Sequence, residues 1–339
     1  MHVPDGFFNA AVSISAGAVA AAGVAVCLRG AKRELDDRTA PMAGLVAAFI
    51  FAVQMLNFPV AGGTSGHLLG GALAAILVGP YTGVLCMTVV LLVQALFFAD
   101  GGLTALGVNI FLMGIVTVLV GWGVFKLVTR FATGRGGIGA AAFVASLLSV
   151  PASALAFTAL FWIGGTAPID LAAVAGAMGG VHVLIGIGEA LITSLTVGAV
   201  LAVRPDLVYG ARGVTRPLEL RGADGTSTVT PQEQAEPAPS VSSVGSRPFV
   251  FGALGLTLLL AGVVSFFASG DPDGLEAVGE EQGFLAQQTD HLFGTWSLAD
   301  YGDVGGIPVG VAGIIGVGVT LLVAGVLGYA ARSKDKTRV

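Results

Sequence analysis

Charge is what this sequence is shortest of. Lys, Arg, Asp and Glu make up 11% of its 339 residues, where an ordinary soluble domain carries about a quarter. With 55% hydrophobic residues and a mean hydropathy of +0.88, a water-soluble fold is excluded and an all-α, polytopic membrane protein is expected. Cysteine is nearly absent too. Cys27 and Cys86 both fall in apolar runs, which excludes a disulfide framework or a zinc site and leaves two small packed hydrophobes. Also missing are a phosphate-binding Gly-rich loop ending in Lys-Ser/Thr, a nucleophile elbow and a paired-His protease helix, so no enzyme chemistry is expected. Any ATP must be hydrolysed by another chain, and no nucleic-acid partner is expected. The start lacks the basic residues and small-residue cleavage site of a secretory signal, so Met1 reads as the mature terminus.

Glycine, by contrast, is plentiful at 52 residues. In lipid, helices associate through close backbone approach over small residues, so a compact bundle is expected. Segments long enough to cross about 30 Å of hydrocarbon lie near 8–28, 41–57, 67–79, 81–99, 104–128, 138–163, 170–203, 248–268 and 305–331. The third is short, is set off by Gly79-Pro80, and is expected to start partway into the bundle, where irregular backbone needs protein cover.

Nine spans place every basic residue on one face. Arg29, Lys32, Arg33 and Arg38 follow the first span; Lys126, Arg130 and Arg135 follow the fifth; Arg204, Arg212, Arg216, Arg221 and Arg247 follow the seventh; Arg332, Lys334, Lys336 and Arg338 form the tail. By the positive-inside rule that face is cytoplasmic, which puts Met1 and His2 outside a cell membrane and the carboxyl terminus inside. The outer face carries Asp5, Asp100, Asp170 and the acids from Asp271 to Asp303. Such a surface attracts cations, although topology alone would also leave it free of Lys and Arg.

Composition divides the chain into residues 1–204, a polar stretch rich in Pro, Ser, Thr and Glu at 205–247, and residues 248–339. The middle stretch reads as a disordered cytoplasmic linker between a seven-span module and a two-span hairpin. The hairpin's loop, Asp271-Pro272-Asp273-Gly274-Leu275-Glu276, lacks the regular alternation of a calcium loop and reads as a turn with solvated acids. His291 in the same loop also reads as solvated.

The candidate site combines both ends of the first outer surface. In Met1-His2-Val3-Pro4-Asp5-Gly6-Phe7-Phe8-Asn9 a histidine follows a free amine, so amine, peptide nitrogen and imidazole can close fused chelate rings on one small cation. On the assigned topology His67, after the loop Val60 to Gly66, lies on the same side and can fill a fourth position. Four planar nitrogens suit Ni(II) or Cu(II). Gln54, Asn57, Thr64 and Ser65 are placed to orient that imidazole or anchor the inserted segment. Two plainer readings stay open: a frayed His2, and a His67 satisfied by backbone. His182 and Glu189, seven residues apart on one helix face, are either a functional pair at membrane depth or a buried structural one.

These residues resemble a known family. Met1 to Phe7, Gly62-Gly63-Thr64-Ser65-Gly66-His67, Gly101-Gly102-Leu103-Thr104-Ala105-Leu106-Gly107-Val108-Asn109 and His182 to Thr193 look like the CbiM/NikM substrate-specific components of energy-coupling-factor ABC transporters. Pro272-Asp273-Gly274-Leu275-Glu276 looks like the motif of the CbiN/NikN accessory subunit, which some members carry as a fusion. The resemblance implies Ni(II) or Co(II) as transported substrate, held by the Met1 amine, the His2 amide and imidazole, and the His67 imidazole. It implies a CbiQ/NikQ-like transmembrane partner and two CbiO/NikO-like ATPase subunits, with Asn109, His182 and Glu189 in supporting roles. Cobalt-type members often read Gly-Ser-Cys-Ser-His-Pro-Thr-Gly around the loop histidine; Gly63 to Gly70 here departs from that and leans towards nickel. The rival expectation is a secondary transporter that uses His182 and Glu189 as a cation relay.

Overall fold

The structure, a computed structural model, describes residues 1–35, 40–212 and 246–332. After the extended first nine residues come α1 (Ala10–Gly30) and α2 (Ala40–Gln54). A small antiparallel ribbon of β1 (Phe58–Ala61) and β2 (Thr64–Gly66) follows. Next are α3 (Gly71–Val78), α4 (Pro80–Phe98) and α5 (Leu106–Val128). The first module closes with α6 (Gly134–Gly164) and α7 (Leu171–Val203). Beyond the undescribed stretch lie α8 (Ser246–Gly262), the short α9 (Gly274–Gln282) and α10 (Val309–Ala331).

All nine apolar segments fold as helices. Seven are long and apolar enough to cross a membrane, whereas α2 has 15 residues and α3 only 8. Every residue of α3 is buried, so this half-helix meets protein on all sides, the condition under which interrupted backbone is tolerated at membrane depth. Gly70 starts it at φ 89°, and Gly79 at φ 97° ends it before Pro80 opens α4. The segment before His67, expected as an irregular Gly-rich loop, is instead the β ribbon, with Gly62 and Gly63 at positive φ making its turn. Large apolar side chains such as Ile14, Leu119, Trp162, Leu195 and Phe251 stay exposed on the long helices, a surface that requires lipid. The chain is a multi-pass membrane protein.

Helix ends carry clear signals. Asn9 caps α1 by accepting from Val12 N, and Asp170 caps α7 through Ala172 N and Ala173 N. Among the described residues, the basic side chains follow α1, α5, α7 and α10 or open α6 and α8. Residues 205–211, expected as the start of the linker, form two short 3-10 turns whose Leu207, Val208 and Ala211 are buried. At the other end of that linker Ser246 and Arg247 open α8; its residues 213–245, and Arg38, Arg216, Arg221, Lys334, Lys336 and Arg338, lie outside the described residues.

Small residues bring backbones into contact. A Cβ on Gly107 of α5 would stand 2.4 Å from Gly17 Cα in α1, and one on Gly310 would stand 2.2 Å from Gly262 O. The two-helix hairpin lies against α2 in the same way, with Gly316 seated on the Phe51 ring. Its loop then reaches over the ribbon: Ser269 N donates to Asn57 O at 2.8 Å, and Ser65 N to Pro272 O at 2.8 Å. Gly107→Val is therefore expected to lower the thermal unfolding temperature in detergent, by an amount equivalent to an overpacking cost of about 1–3 kcal/mol. Gly136→Ala, at a position with nothing within 4 Å, should leave that temperature unchanged or raise it slightly.

Candidate metal centre

The first nine residues are threaded into the bundle. Met1, Val3 and Phe7 are buried, and a buried extended segment must find partners for its backbone groups. Asn109 supplies two: Val3 N donates to its Oδ1 at 2.8 Å and its Nδ2 donates to Val3 O at 3.0 Å. Gly102 N also donates to Val3 O, and further along Thr166 N donates to Phe7 O. Asp5 accepts from Leu103 N, Thr104 N and the Thr104 hydroxyl. A Cβ on Gly102 would stand 2.2 Å from Asp5 N, so the segment passes only because that residue is glycine.

This threading delivers the terminal amine to His67. Met1 N lies 2.5 Å from His67 Nε2 and 2.5 Å from Asp273 Oδ2. His67 Nδ1 lies 3.0 Å from Leu68 O; a proton held there leaves the Nε2 lone pair facing the amine. The loop behind His67 is fixed by Glu189, whose carboxylate accepts from Leu69 N at 2.6 Å and Gly70 N at 3.2 Å.

The His2 ring stacks on His67, with centroids 5.0 Å apart at 18°. Its two nitrogens are distinguished by a relay that starts at a backbone carbonyl, which can only accept. Gln54 Nε2 donates to Leu69 O, and Gln94 Nε2 donates to Gln54 Oε1. Gln94 Oε1 is thereby turned to His2 Nε2 at 3.1 Å, so Nε2 carries the proton. Burial pushes the His2 pKa down to about 4 despite the opposing charge of Asp100. A neutral ring then points the Nδ1 lone pair at Asp100 Oδ1, 3.1 Å away. Two acceptors facing each other define a position for a cation. Asp100 is itself held by the Tyr301 hydroxyl, which donates to its Oδ2 at 2.5 Å.

The predicted residues are not all assembled. Met1, His2 and His67 come together, but His2 Nδ1 faces Asp100 rather than closing a four-nitrogen plane. Gln54 and Asn109 orient the inserted segment and the His67 loop. Ser65 instead donates from its hydroxyl to Asp271 O, tying the ribbon to the second module. Asn57 lines the cleft and Thr64 is half-buried in β2; neither hydrogen-bonds an imidazole among the described residues. His182 and Glu189 are not paired with each other: His182 Nδ1 meets Met178 O, and its buried Nε2 has no partner.

Two expectations about the acidic loop are corrected. Asp273 is not solvated but buried, because one oxygen caps α9 while the other meets the terminal amine. Burial alone would raise its pKa, yet the terminal ammonium and His67 hold it well below the usual carboxylate range. His291 is partly buried, accepts from Phe293 N through Nδ1, and lines the cleft. Asp273, Asp100 and Gln94 were all missed as site residues. Asp273 had a readable signal, the Asp-x-x-Glu spacing of a capping box, and Gln94 was a polar residue inside an apolar helix.

A cleft of about 680 Å³ opens onto this constellation, lined by His2, His67, Asp100, Asp273, Glu276, Asp300 and Tyr301 among others. Among the described residues no three His, Cys, Asp or Glu side chains are grouped to hold a metal. A metal here must draw on the terminal amine or backbone nitrogen, and amine and imidazole nitrogens suit nickel, copper or cobalt over calcium or magnesium.

The family model described as the cobalt uptake substrate-specific transmembrane region, CbiM, matches residues 2–207. The chain belongs to the CbiM family. A PDGLE domain matches residues 247–333, so CbiM is here fused to a CbiN-like accessory domain. A protein of Haloquadratum walsbyi named for metal transport is 41% identical over 209 residues, covering 62% of this chain and 94% of its own. One of Archaeoglobus fulgidus, named as a fused nickel transport protein, is 41% identical over 208 residues, 61% of this chain and 68% of that one. A crystal structure of a transition metal transporter matches with a TM-score of 0.55 at 28% identity, over 60% of this chain and 93% of that chain. The CbiM-family relatives are thus metal transport proteins, not enzymes.

Because the folded-state pKa of His2 lies below that of a free histidine, the folded chain binds fewer protons than the unfolded one between about pH 6.5 and about pH 4. Stability is therefore expected to be present above pH 6.5 and to fall progressively through that window, measured as unfolding temperature of metal-free protein. Glu189→Ala, which leaves two buried amides without an acceptor, should cost about 2–3 kcal/mol in the same assay.

Proposed function

We propose that this chain is the substrate-capture component of an energy-coupling-factor importer and that it takes Ni(II) from outside the cell. The observation that carries this reading is the placement of the terminal amine 2.5 Å from His67 Nε2, with the His2 ring stacked on the His67 ring. Met1 N, the His2 amide, His2 Nδ1 and His67 Nε2 would hold the ion, with Nδ1 exchanging Asp100 for the metal. Four nitrogens in a plane favour Ni(II). Co(II) is the second reading, supported by the cobalt description of the matching family model.

The placement of the described basic residues at the ends of α1, α5, α7 and α10 and the starts of α6 and α8 supports an outward-facing amino terminus and a cytoplasmic carboxyl terminus. The acid-lined cleft would then gather cations at the outer face. Uptake would require a CbiQ/NikQ-like transmembrane subunit and two CbiO/NikO-like ATPases, since no nucleotide motif occurs in this sequence. The relay rival loses support from the engagement of Glu189 by two backbone amides.

His67→Ala, or a residue added ahead of Met1, is expected to abolish retained nickel in metal analysis of purified protein. Wild-type protein should give the absorption of yellow, diamagnetic, planar Ni(II). Unchanged metal content in both variants would refute the site. Cells lacking the partner ATPases should lose uptake; uptake that persists there and disappears in Glu189→Gln would favour the secondary transporter.

A further inference from the structure

The PDGLE domain reaches the metal centre through one carboxylate whose two oxygens do different work. Asp273 Oδ1 accepts from Leu275 N at 2.7 Å and Glu276 N at 3.0 Å, capping α9, while Asp273 N donates to Glu276 Oε2 at 3.0 Å. The reciprocal cap fixes the carboxylate's orientation. Oδ2 is left pointing inward, 2.5 Å from Met1 N and 3.6 Å from His67 Nε2. Docking sets its position. Ser65 binds Pro272 O and Asp271 O on one side, and on the other Gly274 lies so close to α7 that a Cβ would come within 2.7 Å of Ile185 and 2.9 Å of Val181.

We propose that Asp273 is a positioning residue of the metal centre, accepting an N–H of the terminal amine so that the amine's lone pair is aimed at the ion shared with His67. The site is therefore complete only when the PDGLE domain is docked. This rests on the metal-site reading above. A metal-bound amine keeps two N–H groups, one of which can donate to Oδ2 without the carboxylate itself binding the ion. A carboxylate beside a buried divalent ion also offsets part of its desolvation. Carboxylates that orient a ligand in this way typically contribute 10–100-fold to metal affinity.

Asp273→Asn in the full chain separates this role from folding, because Asn caps a helix as well as Asp does. Asp273→Ser, which caps through its hydroxyl, provides a second variant. Both are expected to bind nickel roughly 10–100-fold more weakly, with the absorption maximum of the bound ion unmoved. In metal-free protein, the terminal amine of both variants should react faster with an amine-acylating reagent, read by mass spectrometry, than the amine of the parent chain. Wild-type affinity together with wild-type amine protection would overturn the proposal. A shifted absorption maximum would also overturn it, by making the carboxylate a ligand. Nickel content unchanged in His67→Ala would instead refute the underlying site, and the metal-free reactivity would still decide whether Asp273 holds the amine.

Discussion

Everything at this end of the bundle depends on one constraint: an extended peptide segment without regular secondary structure is buried, so its backbone groups need partners from elsewhere in the chain. Asn109 meets the need at Val3, Asp5 returns the favour by capping the residues around Thr104, and Thr166 meets Phe7 and Gly6. Such pairing fixes the segment in register. Register in turn decides that an amine, and not a side chain, arrives at His67.

The surrounding architecture serves that placement. Helix α4 ends in a π-helical turn that begins at Gln94, and a second π-helical stretch in α5 begins directly after Asn109. Widened turns of this kind are frequent where a helix must present a functional side chain. Gln54 from α2 donates to Leu69 O, while Glu189 from α7 accepts from Leu69 N and Gly70 N. The His67 loop is thus held by two polar groups on two helices. Aromatic packing does the rest, with Phe284 of the accessory domain meeting Phe7, Phe157 and Phe161 over the inserted segment.

Much of this was legible in the sequence because lipid imposes a simple grammar. Apolar length gave the helices, the missing charge gave the membrane, and Gly79-Pro80 gave the break after α3. His2 and His67 were readable because nitrogen donors beside a free amine are uncommon at the start of an apolar helix. The role of Asp273 was not, since a carboxylate in an acidic loop has the same local sequence whether it is solvated or paired across 272 positions. His2 Nδ1 facing Asp100 was equally invisible. That orientation follows from a hydrogen-bond relay running through α2 and α4, and only tertiary packing brings those helices to the ring.

The threading of the amino-terminal segment also orders the events of biogenesis. Residues 1–9 stand ahead of every helix in the sequence, yet their partners Asn109, Thr166, Asp273 and Thr289 come from the middle and the far end of the chain. The segment can consequently settle only after those later parts have been made, and until the accessory hairpin emerges it has no Asp273 carboxylate to receive its ammonium. The inserted segment is thus fixed only once the rest of the fold is in place.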